Sequence, residues 1–321
     1  MGPGIGESIV LQLPCGGWGV VDCYHTEKGG TTEFLQKKRV KRLKFICFTH
    51  PHEDHYRGAH RLFRRYAGKI DRIWRFPGFS TKDFINLGLA TRVRAKYLGD
   101  PEAASLYDDY LLLIKNLARE RKRLGDEYYR LIIGSYPLLL HERYRIHALA
   151  PGSTAVEHFL QRFARIVIRT GPMLLNEEGG ELINSMSVVL TIAFGSSTVF
   201  LLGDAQGPSI ALGTQRHGYS VVKIAHHGSI NGYGADVLTM KSRRPRIDHG
   251  VVTPYSRSGL PTAEMTRTYR GACAKLVHTC PTLHSSPQQA VPGLNNARLP
   301  NKSVTWIGIE VTSDGTVRQF Q

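Results

Sequence analysis

The stretch that most constrains this chain is Phe45-Ile46-Cys47-Phe48-Thr49-His50-Pro51-His52-Glu53-Asp54-His55. Five strand-forming residues run straight into three histidines and a carboxylate, and a segment of helical character, Tyr56 to Tyr66, follows. Imidazole and carboxylate are the groups that hold Zn²⁺ and similar ions, and a strand-to-helix turn can point all four into one small volume. One ion cannot easily take all four from a single loop. The spacing H-x-H-x-D-H therefore points to two neighbouring ions, with His50 and His52 on the first and Asp54 and His55 on the second. The competing reading is a histidine-rich surface turn, and four ligand-type residues at this spacing argue against it.

Two further strands end the same way. Val199-Phe200-Leu201-Leu202-Gly203-Asp204 is an apolar run closed by a carboxylate, and Val221-Val222-Lys223-Ile224-Ala225 leads into His226-His227-Gly228-Ser229. Together with the first cluster these segments resemble the signature of the metallo-β-lactamase superfamily. The wording narrows it further. Gly203-Asp204, the His-His-Gly-Ser of 226–229, Asn184-Ser185-x-Ser187-Val188-Val189-Leu190, and the opening Gly4-x-Gly6-Glu7-Ser8-Ile9 through Leu13-Pro14 to Val21-Asp22 are similar to the metallo-β-lactamase-like domain of the DNA-uptake protein ComEC. The likeness runs from about residue 4 to the last strand and has no counterpart of the ComEC membrane channel.

That resemblance implies an αββα sandwich: one domain over residues 1–321, two mixed sheets face to face, helices outside, and a helical insertion at about 76–144 beside the cleft. It implies that Asp204 bridges two divalent ions, Zn²⁺ or Mn²⁺, and that one of His226 and His227 completes the second site. Adjacency leaves open which of the two ligates. Asp22 corresponds to an aspartate that orients the histidines from behind, and Ser229 is placed in the same supporting layer. Asp54, His226 and His227 are the catalytic candidates, the unligated histidine serving as general acid.

The formal charge of +16, from 42 Lys and Arg against 26 Asp and Glu, favours a polyanionic partner. Nucleic acid is expected on that ground and on the phosphodiester chemistry of the fold's relatives; an acidic membrane surface or plain solubility is the alternative for charge alone. No run of eighteen apolar residues suggests a membrane span, and Met1-Gly2-Pro3-Gly4 has no basic region ahead of an apolar core, so a cytoplasmic location is expected. Five cysteines, never spaced C-x-x-C, argue against a disulfide framework and a zinc knuckle.

Local signals complete the reading. Pro14-Cys15-Gly16-Gly17 turns an opening hairpin. Asp100-Pro101-Glu102 starts a helix that Gly125 should stop, with Leu106, Tyr110, Leu113 and Leu117 facing the core. Gly195-Ser196 turns the hairpin that delivers Asp204, and Ser313-Asp314-Gly315 turns a closing one. The basic run Lys37 to Lys44 lies at the N-terminal end of the ligand strand, away from the chemistry. His60, His147 and His158 are read as structural. Arg57, Lys223, Ser256 and Arg257 are the candidate substrate contacts. Arg57 stands where relatives carry a small residue, with pairing to a nearby carboxylate as its alternative. Leu260 replaces the histidine that the ComEC-like family often has in that loop.

Two divalent ions can lower the pKa of water and stabilise oxyanions during displacement at phosphorus, so a nuclease is the leading expectation. A small-molecule esterase or lactonase uses similar ligands without needing so basic a surface, and a cyclic-nucleotide phosphodiesterase would share both features. A non-catalytic scaffold would be expected to lose ligands, and here every core position is filled.

Overall fold

A computed structural model describes residues 6–26, 29–77, 101–170, 177–206, 219–232, 247–279 and 307–320. The opening hairpin pairs β1 (Ile9–Gln12) with β2 (Trp18–Val21), and a small ribbon, β3 (His25–Thr26) with β4 (Gly29–Gly30), leads into helix α1 (Thr31–Lys37). Then comes β5 (Phe45–Phe48), parallel to β2, and all four of its side chains are buried. An uninterrupted apolar run is what a strand covered on both faces requires. The ligand loop becomes α2 (Glu53–Tyr56) and α3 (Ala59–Tyr66), two helices where the sequence predicts one. Arg57 and Gly58 separate them because Gly58 adopts a left-handed φ of 108°, which few other residues tolerate.

Strands β6 (Ile73–Arg75) and β7 (Tyr129–Leu131) complete a five-stranded sheet of order β1-β2-β5-β6-β7. The second sheet has seven strands: β8 (Tyr136–His141), β9 (Tyr144–Ala150), β10 (Val189–Phe194), β11 (Ser197–Leu201), β12 (Tyr219–Lys223), β13 (Ile247–Val252) and β14 (Cys273–His278), in the order β14-β13-β12-β11-β10-β9-β8. One continuous core joins Val20, Ile46 and Ile73 of the first sheet to Ile146, Leu190 and Leu201 of the second. Phe63 of α3 stacks on Phe48 outside the first sheet. Met265 and Tyr269 of a further helix (Ala263–Ala272) pack with Phe200 and Val222 of the second. This is the expected sandwich of two sheets with helices outside.

The 76–144 stretch is only partly helical. Residues 78–100 lie outside the described residues. After them α4 (Pro101–Tyr128) begins at the expected proline and breaks at Gly125, whose φ is 73°. Tyr110, Leu113 and Leu117 are buried as predicted, and the side chain of Leu106 lies outside the described residues. The chain then supplies β7 and β8, the edge strands of both sheets, so this segment is woven into the sandwich. The helix from Ser153 (α5, Ser153–Thr170) and a short α6 (Glu177–Asn184) precede β10, and Ala263–Ala272 is α7. Among the described residues no helix is long and apolar enough to cross a membrane.

The closing hairpin, β15 (Gly308–Val311) with β16 (Val317–Phe320), docks onto the β10–β11 turn, where the Ser196 N–H donates to the Ser313 carbonyl at 2.8 Å. Gly195 makes that approach possible: its φ is 55°, and a Cβ there would sit 2.2 Å from the Ser313 oxygen. Gly195→Ala is therefore expected to destabilise the fold by about 1–3 kcal/mol, read as a lower midpoint in urea.

Candidate metal centre

Parallel strands release their C-terminal ends on one edge. In the first sheet, β2 leads into Asp22 and β5 into Thr49-His50; in the second, β11 leads into Gly203-Asp204, β12 into His226-His227 and β13 into Thr253. The two edges meet: His227 Nε2 lies 2.9 Å from Asp54 Oδ2.

The orientation of each histidine follows from what sits behind it. Asp22 is fully buried and accepts from the Thr49 N–H at 2.8 Å, the Thr49 hydroxyl at 2.7 Å and His55 Nδ1 at 2.7 Å. A carboxylate only accepts, so the single Thr49 proton goes to Asp22. The hydroxyl oxygen can then only accept from His50 Nδ1, 3.0 Å away. His227 Nδ1 donates to the Thr253 carbonyl at 2.8 Å. Three rings thus have Nδ1 tied to an acceptor and Nε2 turned toward the same space, the arrangement that metal-ligating histidines show.

Two groups of ligand atoms result, each with its atoms within 4.8 Å of one another: His50, His52 and Asp204, and Asp54, His55, Asp204 and His227. Asp204 belongs to both. Its Oδ2 lies 3.7 Å from His50 Nε2, 3.4 Å from His55 Nε2 and 3.5 Å from His227 Nε2, while its Oδ1 is buried with no hydrogen-bond partner. These donors, two carboxylates and four imidazoles, fit a pair of divalent ions.

Charge explains the protonation states. Burial, reinforced by the neighbouring His55, pushes His50 well below its ordinary pKa, and burial takes His52 down to about 4. Burial would raise Asp54 and Asp204, yet His55 and His227 hold both well below the carboxylate range. Burial likewise opposes a charged His55, and the surrounding Asp54, Asp204 and Asp22 overcome it and raise its pKa well above normal. His227 is raised too, by Asp204 and Asp54 against burial. Without ions, protons on His55 and His227 are the positive charges that the carboxylates gather.

The histidine that adjacency could not choose is thereby separated geometrically from its neighbour. His227 faces Asp54, whereas His226 points its two ring nitrogens at the side-chain amides of Asn184 (3.3 Å) and Gln206 (3.1 Å) and joins neither group. Both have left-handed φ, 47° and 53°, a strained turn of the kind that collects at functional sites.

Other expected contacts fall elsewhere. Lys223, read as a substrate contact, is buried and its ammonium lies 2.6 Å from Glu7 Oε2. That ammonium already pairs with Glu7 of a third cluster, Glu7, Asp22 and His55. Arg57 pairs with Glu53 at 2.6 Å, one helical turn back. Ser229 is buried in the turn after the histidines. Ser256 opens a short 3₁₀ turn, Ser256–Ser258; the side chain of Arg257 lies outside the described residues. His60 faces Asp109, and His147 and His158 belong to neither ligand group. Tyr255, which no motif singled out, stacks on the His227 ring at 5.0 Å, and Thr49 and Thr253 were unmarked although each adjoins a ligand strand.

A sequence model of the metallo-beta-lactamase superfamily matches residues 1–247. No curated protein matches the chain significantly. Among solved structures it is similar to an archaeal metallo-beta-lactamase superfamily protein from Sulfolobus tokodaii (15% identity, 63% of this chain and 58% of that one, TM-score 0.30). It is also similar to Zn²⁺-bound PqqB from Methylobacterium extorquens (9% identity, 85% of each chain, TM-score 0.41) and to a beta-lactamase domain protein from Burkholderia ambifaria (14%, 63% and 48%, TM-score 0.31). The chain thus spans under two thirds of the length of the first of these.

Proposed function

Because the chain belongs to the metallo-beta-lactamase superfamily, we propose that it is a metal-dependent phosphodiesterase of the ComEC-like kind that cleaves nucleic acid. The observation that carries this reading is the pair of ligand groups joined through Asp204. His50, His52 and Asp204 would hold one ion and Asp54, His55, Asp204 and His227 the other. Zn²⁺ or Mn²⁺, when bound, supplies a water of lowered pKa and positive charge for the phosphoryl oxygens. Asp22, Thr49 and Thr253 keep the histidine rings turned inward. With His227 taken as a ligand, His226, outside both groups, is left as the candidate general acid for the leaving oxygen.

The charge of +16 supports a polyanionic substrate. Arg42 and Lys44 pair with Asp71, and Arg121 with Asp126, pairs that the net figure already counts. With Mn²⁺ or Zn²⁺ the purified protein is expected to degrade plasmid, single-stranded DNA or RNA, with binding that weakens steeply as salt rises. Hydrolysis of bis-nitrophenyl phosphate or a cyclic nucleotide with polynucleotide left intact would favour the small-substrate alternative. No cleavage with any divalent ion would sink both.

A further inference from the structure

Both ligand groups span the two sheets through Asp204, but only the second takes a residue that follows β12, His227. Asp54 and His55 follow β5 in the five-stranded sheet, and Asp204 and His227 follow β11 and β12 in the seven-stranded one. Their convergence depends on how the sheets are set against each other. One buried ion pair links the two ligand loops. Lys223, the last residue of β12, reaches Glu7, the residue two before β1, at 2.6 Å, with side chains 4% and 1% exposed. The ammonium also donates to the Ile224 carbonyl at 2.8 Å, so it is fixed to the strand that leads into His226-His227.

Glu7 is fixed just as firmly to the other loop. Its N–H donates to the Asp54 carbonyl at 2.8 Å. The next residue, Ser8, accepts from the Tyr24 N–H, and the Cys23 N–H donates to the His55 carbonyl at 2.8 Å. Gly6 lies so close to Tyr24 that a Cβ there would meet its ring at 2.2 Å. We propose, on the two-ion reading above, that the Lys223–Glu7 pair is a positioning pin that sets Asp54 and His227 in register across the sheets and so forms the second ion's site. Both are positioning residues and touch neither ion nor substrate. A buried ion pair is a poor source of stability, since neutral groups of similar volume serve as well, and what it offers instead is attraction between two fixed points of the fold, here one on each sheet.

The test replaces the pair with neutral groups of similar volume, Glu7→Gln with Lys223→Met, and measures Mn²⁺ and Zn²⁺ bound at equilibrium by elemental analysis, with circular dichroism to follow the fold. Wild type is expected to hold two ions per chain. The folded double variant is expected to keep the His50/His52/Asp204 ion and to hold the other about 10–100-fold more weakly, the usual effect of disturbing groups behind metal ligands. Glu7→Ala, which leaves Lys223 its carbonyl partner, is expected to weaken the same ion if the double variant does not fold. Two ions at wild-type affinity in either folded variant, or equal weakening of both, would overturn the pin while the two-ion reading stands. A wild-type chain that binds no ion overturns the reading itself.

Discussion

Replacing Asp204 with alanine will remove both ions and lower cleavage by at least about 10³-fold, because it takes a ligand from each group at once and with it several kcal/mol of transition-state charge stabilisation. No other side chain among the described residues belongs to both ligand groups. Substitution of His52 should weaken mainly the first ion and substitution of His227 mainly the second. Asp204→Asn, of the same shape, separates charge from packing and should fail nearly as badly. His226→Ala provides the contrast: it lies outside both groups, so two ions should remain while the rate falls by about 10²–10⁴, as for loss of a general acid. Elemental analysis beside a plasmid-cleavage assay checks all five. Asp204→Ala protein that still carries two ions at wild-type affinity would refute the bridging role.

These contrasts track what a linear sequence can and cannot encode. Strand-end ligands were readable because each follows an apolar run: Phe45 to Phe48, Val199 to Leu202 and Val221 to Ala225 announce buried strands, and polar groups directly after them must emerge at an edge. The choice between His226 and His227 was not readable, because it rests on two successive left-handed residues that turn one ring toward Asp54 and the other toward Asn184. Lys223 was misread for a related reason. Alternation along β12 fixes the face its side chain shares with Val221, but not that Glu7 waits on that face from the far end of the chain. The edge strands β7 and β8 were hidden because Tyr129–Leu131 is too short for any period and Pro137 interrupts the other. Tyr255 carried no signal beyond its place in a loop. Arg57 was assigned between a phosphate and a carboxylate without preference, and Glu53 sits at the spacing where such pairs form on a helix.

Stripping the ions should change both the size of the protein's stability and the direction of its pH dependence. A ligand that binds only the folded chain adds about 4 kcal/mol when present at 1,000 times its dissociation constant, so two such sites add about 8 kcal/mol. In the stripped protein His55 and His227 have raised pKa values. Their contribution is fully present below the unfolded histidine pKa of about 6.5 and is lost as pH rises through the folded values. Asp54 and Asp204 have lowered values, so theirs is present above about pH 4 and lost as pH falls through the folded values. Below about pH 6.5 the lowered His50 and His52 work against the fold, so the stripped protein should be most stable near the unfolded histidine value and weaken toward alkaline pH as His55 and His227 lose their protons. The loaded protein should do the opposite across neutrality, because ions compete with the protons on His55 and His227 and bind better as those protons leave, whereas His50 and His52, both lowered, are already neutral. Thermal melts from pH 5 to 9 with and without chelator should show the gap between the two forms widening with pH, and calorimetry in two buffers of different ionisation enthalpy should show protons released on binding. A gap that narrows as pH rises, or binding with no proton release, would mean that His55 and His227 do not ligate.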